Sequence, residues 1–161
     1  MGARGGTDVV EHEIRIEAPP EAVFAYFTDP VKLVRWLCTE ATVDPRPGGV
    51  CRLTISGAAE MVGEYVEVVP YSRVVFRWGW RQQLFGVAAA STLVEVLLTP
   101  DAVGTHVRLT HRELPSKPAA EFHDLGWGHF LERLGVAAAG GDPGPSRWTG
   151  QPGPAYGEDV Q

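Results

Sequence analysis

Apolar and polar residues alternate in short stretches along most of the chain. Between Val9 and Glu17, Val10, His12, Ile14 and Ile16 fall on one side and Glu11, Glu13, Arg15 and Glu17 on the other. That period marks a half-buried strand. Ala18-Pro19-Pro20 stops it. Pro20 and Glu21 suit a first helical turn, where proline loses no hydrogen bond and an acid meets the positive end of the dipole. Val23, Phe24 and Phe27 follow at helical spacing, and Asp29-Pro30 interrupts them. A second short helix is expected over Val31 to Leu37, with Leu33, Trp36 and Leu37 on one face. Strand signals then resume, with Thr39 to Asp44, a turn at Pro45-Arg46-Pro47-Gly48-Gly49, and Cys51, Leu53 and Ile55 alternating with Arg52 and Thr54. A longer strand spans Met61 to Val69, and Val74, Phe76, Trp78 and Trp80 share one face of the next. Arg81 to Ala89 reads as a loop. Val94, Val96 and Leu98, then Val107, Leu109 and His111, give the last two strands. From Ala119 to Ala139 the spacing changes to three and four: Phe122, Trp127, Phe130, Leu131, Leu134 and Ala138 form the apolar stripe of one long helix. Gly140-Gly141 ends it.

Consecutive strands with short links pair as an antiparallel meander, and a long amphipathic helix must then cover one face of it. The expected fold class is α+β, a curved antiparallel sheet of about seven strands around a C-terminal helix.

Composition narrows the function. The chain has 161 residues and a formal net charge of −6, which gives no basic footprint for nucleic acid. No apolar run approaches the roughly 20 residues of a membrane span, and Met1 to Asp8 is Gly-rich and polar, without signal-peptide character. A cytoplasmic location is therefore expected, with Cys38 and Cys51 as free thiols. The last 22 residues contain six glycines and four prolines and show no period. Three parts follow: a flexible terminus over residues 1–8, one domain over 9–139, and a Gly/Pro-rich tail over 140–161. Trp148 and Tyr156 are the tail's large groups. They are either solvated, or Trp148 docks into an apolar groove of this chain or a neighbouring one.

Searches for catalytic and cofactor motifs fail. The chain has no Gly-x-Ser-x-Gly elbow, no phosphate-binding glycine loop and no dinucleotide fingerprint. No His-x-x-x-His or Glu-x-x-His pair offers a metal site. Neither a metal nor an organic cofactor is expected.

The order of elements resembles the helix-grip fold of the START-like (SRPBCC) superfamily. Local motifs are similar to those of the Activator of Hsp90 ATPase homologue 1-like family. Ile16-Glu17-Ala18-Pro19-Pro20-Glu21-Ala22-Val23-Phe24 resembles its strand-to-helix junction, and Thr28-Asp29-Pro30 with Arg35-Trp36 its second helix. Pro47-Gly48-Gly49 and the stretch from Gly63 to Trp78 resemble its hairpins, and Gly126-Trp127 its last helix. The resemblance covers Val9 to Val136. It implies a cavity between the long helix and the sheet, and this superfamily uses that cavity for lipids, hormones and polyketides.

Aromatics expected to face that cavity are Phe24, Phe27, Trp36, Phe76, Trp78, Trp80, Phe122, Trp127 and Phe130. Taken singly, such residues more commonly just fill a core. Taken together they are candidate walls for a hydrophobic or aromatic small molecule. His111 continues the inward parity of Val107 and Leu109 and is a candidate ligand anchor, acid or base. Glu64, on a central strand, is a second candidate, set against a cross-strand ion pair with Arg52 or Arg77. Three functions follow. The first is small-molecule binding. The second is a cyclase or dehydratase using His111 or Glu64 in the same cavity. The third is a chaperone-linked interaction module, implied by the family name alone. A homodimer is a further expectation, because a meander leaves an edge strand to cover.

Overall fold

The structure is a computed structural model, and it describes residues 8–57, 59–146 and 148. The first seven residues and nearly all of the chain beyond Ser146 lie outside the described residues, and with them most of the expected flexible terminus and tail. Seven strands run in the order β1 (Asp8–Ile16), β2 (Glu40–Val43), β3 (Val50–Ser56), β4 (Ala59–Val69), β5 (Arg73–Trp78), β6 (Thr92–Pro100) and β7 (Thr105–Leu114). Helices α1 (Pro20–Thr28) and α2 (Pro30–Leu33) follow β1, and α3 (Lys117–Ala138) follows β7. The strands form one antiparallel sheet in the order β1-β7-β6-β5-β4-β3-β2. It is the expected α+β helix-grip architecture, a curved sheet around the long helix.

The alternation seen in the sequence decides which face is buried. Val94, Val96 and Leu98 of β6 and Val107 and Leu109 of β7 are buried. The opposite face carries charge pairs: Arg73 reaches Glu67 at 2.8 Å and Glu95 at 2.6 Å, and Glu60 receives Arg52 and Arg81. Proline opens α1 and α2, and the Asp29 side chain caps α2 by accepting from the Val31 N–H.

The second helix is shorter than its apolar spacing suggests. It ends at Leu33, and residues 34–37 continue as tight turns, with Arg35 N–H donating to Lys32 and Trp36 N–H to Leu33. The Trp36 indole is tied to the Tyr26 carbonyl at 2.9 Å, which fixes the chain there with Trp36 and Leu37 buried as expected. Strand β5 also ends early. Trp80 lies beyond it, bridged to Met61. Gly79 makes that junction: a Cβ there would run into the Ala88 carbonyl of the following loop.

Candidate functional site

The space between α3 and the sheet has two compartments, one of them polar. β5 supplies Trp78, β7 supplies His111, and His123 and Trp127 stand one turn apart on α3. The Trp127 indole N–H donates to His111 Nδ1 at 3.0 Å. His111 Nε2 therefore carries the ring proton and donates to Thr92 Oγ1 at 2.8 Å, and Thr92 donates its own proton to the Trp78 carbonyl at 2.7 Å. In parallel, the Trp80 N–H donates to His123 Nε2 at 3.0 Å, which leaves the His123 Nδ1–H to donate to the Ala119 carbonyl at 2.7 Å. The partners thus assign both tautomers. The ring centroids are 5.0 Å apart. Burial keeps both rings neutral: it holds His111 well below the usual imidazole range, helped by neighbouring His123, and pushes His123 down to about 4.

This network decides the fate of the two acid–base candidates. His111 faces the helix, as its parity suggests, but both of its nitrogens are engaged by the protein. No donor or acceptor on the ring remains for a substrate. Glu64 is exposed, on the face of β4 opposite buried Gly63 and Tyr65. It does not enter the space under α3, so it is corrected from a pocket acid to a surface residue. The expected Glu64 ion pairs are also redirected: Arg52 pairs with Glu60, and Arg77 with Glu113 at 3.8 Å.

The second compartment is an aromatic slot, and it is occupied. Trp148 is 3% exposed. Its ring lies over Trp80 with centroids 5.9 Å apart and planes 18° apart, a stacked arrangement. Phe122 and Phe130 flank it at 5.4 and 5.6 Å. Gly126 presents bare backbone on the helix side, where an added Cβ would stand 3.4 Å from the indole nitrogen. With Trp148 in place the space left over is about 20 Å³, room for about one water and far too little for a ring. The implied cavity is therefore filled, and part of the filling comes from the tail.

An open cleft of about 790 Å³ adjoins the slot. Ile55 and Phe130 wall both. Trp36 and Cys38 lie on its α2 side and residues 140–146 on the other, with Arg35 and Arg133 among its polar groups. Burial raises the Cys38 thiol to about 12, so it is protonated and no nucleophile. Arg133 fastens the tail. Its Nε donates to the Trp36 carbonyl at 3.0 Å, and its Nη1 to the carbonyls of Gly144 at 2.6 Å and Pro143 at 3.4 Å. Ser146 adds two contacts, with His129 Nε2 at 2.8 Å and the Trp148 N–H at 3.1 Å.

The expected wall residues separate accordingly. Trp78, Trp80, Phe122, Trp127 and Phe130 line the slot. Phe76 packs behind it on Tyr65 and Trp78. Phe27 and Trp36 form a separate T-shaped pair at 5.3 Å, with Trp36 turned to the cleft. Phe24 lies apart, half-buried against Tyr71. His123, Gly126, Arg133 and Trp148 are site residues that spacing alone did not select. A glycine inside the buried stripe of α3 was the available signal, since it leaves a hole that another group must fill.

Comparison with known proteins agrees with this fold. The family model for Activator of Hsp90 ATPase homolog 1-like protein matches residues 17–139. No curated protein matches the chain. An AHSA1-like protein from Rhizobium etli, solved in solution, is 43% identical over 90% of both chains with a TM-score of 0.69. DynU16, a putative protein in the dynemicin biosynthetic locus, is 25% identical over 84% of this chain and 49% of that one, with a TM-score of 0.72. The Aha1 dimer from Colwellia psychrerythraea is 20% identical over 83% of this chain and 98% of that one, with a TM-score of 0.70, a likeness of fold. The family match over most of the chain and the 43% identity settle the assignment: the chain belongs to the Activator of Hsp90 ATPase homolog 1-like family.

Proposed function

We propose that the chain binds a hydrophobic, flat aromatic small molecule between α3 and the sheet. One observation carries this reading: an indole already sits there, stacked on Trp80 and edged by Phe122, Phe130 and Gly126. That indole comes from a segment outside the secondary structure. A group held by such a segment can leave without breaking the sheet or α3. The space it vacates is apolar and floored by ring faces, which suits stacking. Likeness to DynU16, a putative protein in the dynemicin biosynthetic locus, fits a small-molecule ligand. An acid–base role is not part of the proposal, because His111 has both nitrogens engaged and Glu64 is on the outer face.

Calorimetric titration with indole tests it. Trp148→Ala should bind indole at least tenfold more tightly than the unaltered chain. Adding Gly126→Leu, which fills the slot from the helix side, should abolish that binding. A Trp148→Ala protein that is folded and takes up no indole would overturn the proposal.

A further inference from the structure

Arg133 and Trp148 hold the same segment at two points, and the two points differ in chemistry. Trp148 fills an apolar slot. Arg133, one helical turn beyond Phe130 on α3, gives its guanidinium to the backbone carbonyls of Pro143 and Gly144 at the wall of the adjoining cleft. Carbonyl oxygens carry only partial charge. A carboxylate in their place would form charge-assisted hydrogen bonds with Nη1, which are stronger. Arg35 lines the same cleft, is exposed, and makes no ion pair with any described residue. Asp142 is the acidic residue among the cleft walls, so positive charge dominates there. Slot and cleft are adjacent, with Ile55 and Phe130 in the walls of both, and the same segment lines the cleft with residues 140–146 and fills the slot with Trp148.

We infer that the ligand is a planar aromatic anion: its ring replaces Trp148 in the slot, and its acidic group takes Arg133 from the Pro143 and Gly144 carbonyls. The inference rests on the proposed binding function and adds the ligand's charge and its competition with the tail. Residues 140–146 together with Trp148 are then a built-in competitor that imitates both halves of the ligand, a ring for the slot and oxygen acceptors for the arginine. Apparent affinity falls by the fraction of time the segment is docked. No covalent step is involved.

The probes are indole-3-butyrate and its neutral counterpart indole-3-butyramide. Each carries the ring of Trp148 on a chain that spans about one helical turn, roughly 5 Å, the axial distance from Phe130 to Arg133. Titration calorimetry on the full chain should show the butyrate binding Trp148→Ala at least tenfold more tightly than the unaltered chain, and at least tenfold more tightly than the butyramide binds Trp148→Ala. Arg133→Gln on the Trp148→Ala background should erase most of the butyrate's advantage over the butyramide. Should that double variant fail to fold by near-ultraviolet circular dichroism, the butyrate-to-butyramide ratio on Trp148→Ala still decides the matter. A ratio near one overturns the anion inference and leaves aromatic binding intact. Equal butyrate affinity for the unaltered chain and Trp148→Ala overturns the competition. Failure of both probes to bind Trp148→Ala overturns the binding function itself.

Discussion

Two neighbouring compartments under the same helix are closed in different ways. The His111–His123 compartment is closed by residues of β5, β6, β7 and α3 with Trp80 just beyond β5, and every imidazole nitrogen in it has a partner. The slot beside it is closed by Trp148, which belongs to no helix or strand. A polar network in which all four imidazole nitrogens are paired is costly to open, because each broken bond leaves a buried group unsatisfied. A stacked ring on a segment outside the helices and strands can leave by local undocking. On the proposed function, the difference separates the part of the interior that holds the fold from the part that would exchange its contents.

The sharpest way to break this comparison is to mutate each side of the Trp80–Trp148 stack in turn. Trp80→Ala removes a buried floor and strands His123 Nε2, and should cost about 3–5 kcal/mol of stability in urea unfolding. Trp148→Ala should cost about 1–2 kcal/mol, since the segment can leave while the sheet stays folded. Equal losses would make Trp148 an ordinary core residue.

pH probes chiefly the closed compartment, although His129 beside Ser146 of the tail is also held below the usual imidazole range by burial and by Arg133 and adds in the same direction. His123 titrates near 4 in the folded protein against about 6.5 unfolded. Below 6.5 the unfolded chain binds protons that the folded chain refuses, so stability is full above that pH and is lost as pH falls toward 4. His123 alone accounts for roughly 3 kcal/mol of that loss, and His111 adds in the same direction. Protonation also turns the acceptor nitrogen of each ring against an indole N–H. Urea midpoints measured from pH 7 to 4 should fall accordingly, and His123→Gln should flatten the curve.

The smallest effect belongs to the outer face. Arg73→Ala, which breaks pairs with Glu67 and Glu95, should change stability by less than about 1 kcal/mol and lose that difference in salt.

The architecture was legible because alternation and helical spacing are local. Val107, Leu109 and His111 point inward as their parity requires, and the stripe Phe122, Trp127, Phe130 and Leu134 lies on the buried side of α3. Two features were legible only in part: the partners of His111, and which of the two readings, solvated or docked into a groove of this chain, holds for Trp148. His111 reads as a free acid or base until its partners are known, and Trp127 and Thr92 come from elements far from it in sequence. Trp148 sits in a segment with no period, so nothing local ties it to Gly126 or Trp80. Only long-range packing does.

The most direct test of the exchangeable slot is amide-resolved NMR of Trp148→Ala titrated with indole. Resonances of Trp80, Phe122, Gly126 and Phe130 should shift together and saturably, while those of Arg73 and Glu95 on the outer face stay in place. Shifts confined to the outer face, or none at all in a folded protein, would contradict a binding slot between α3 and the sheet.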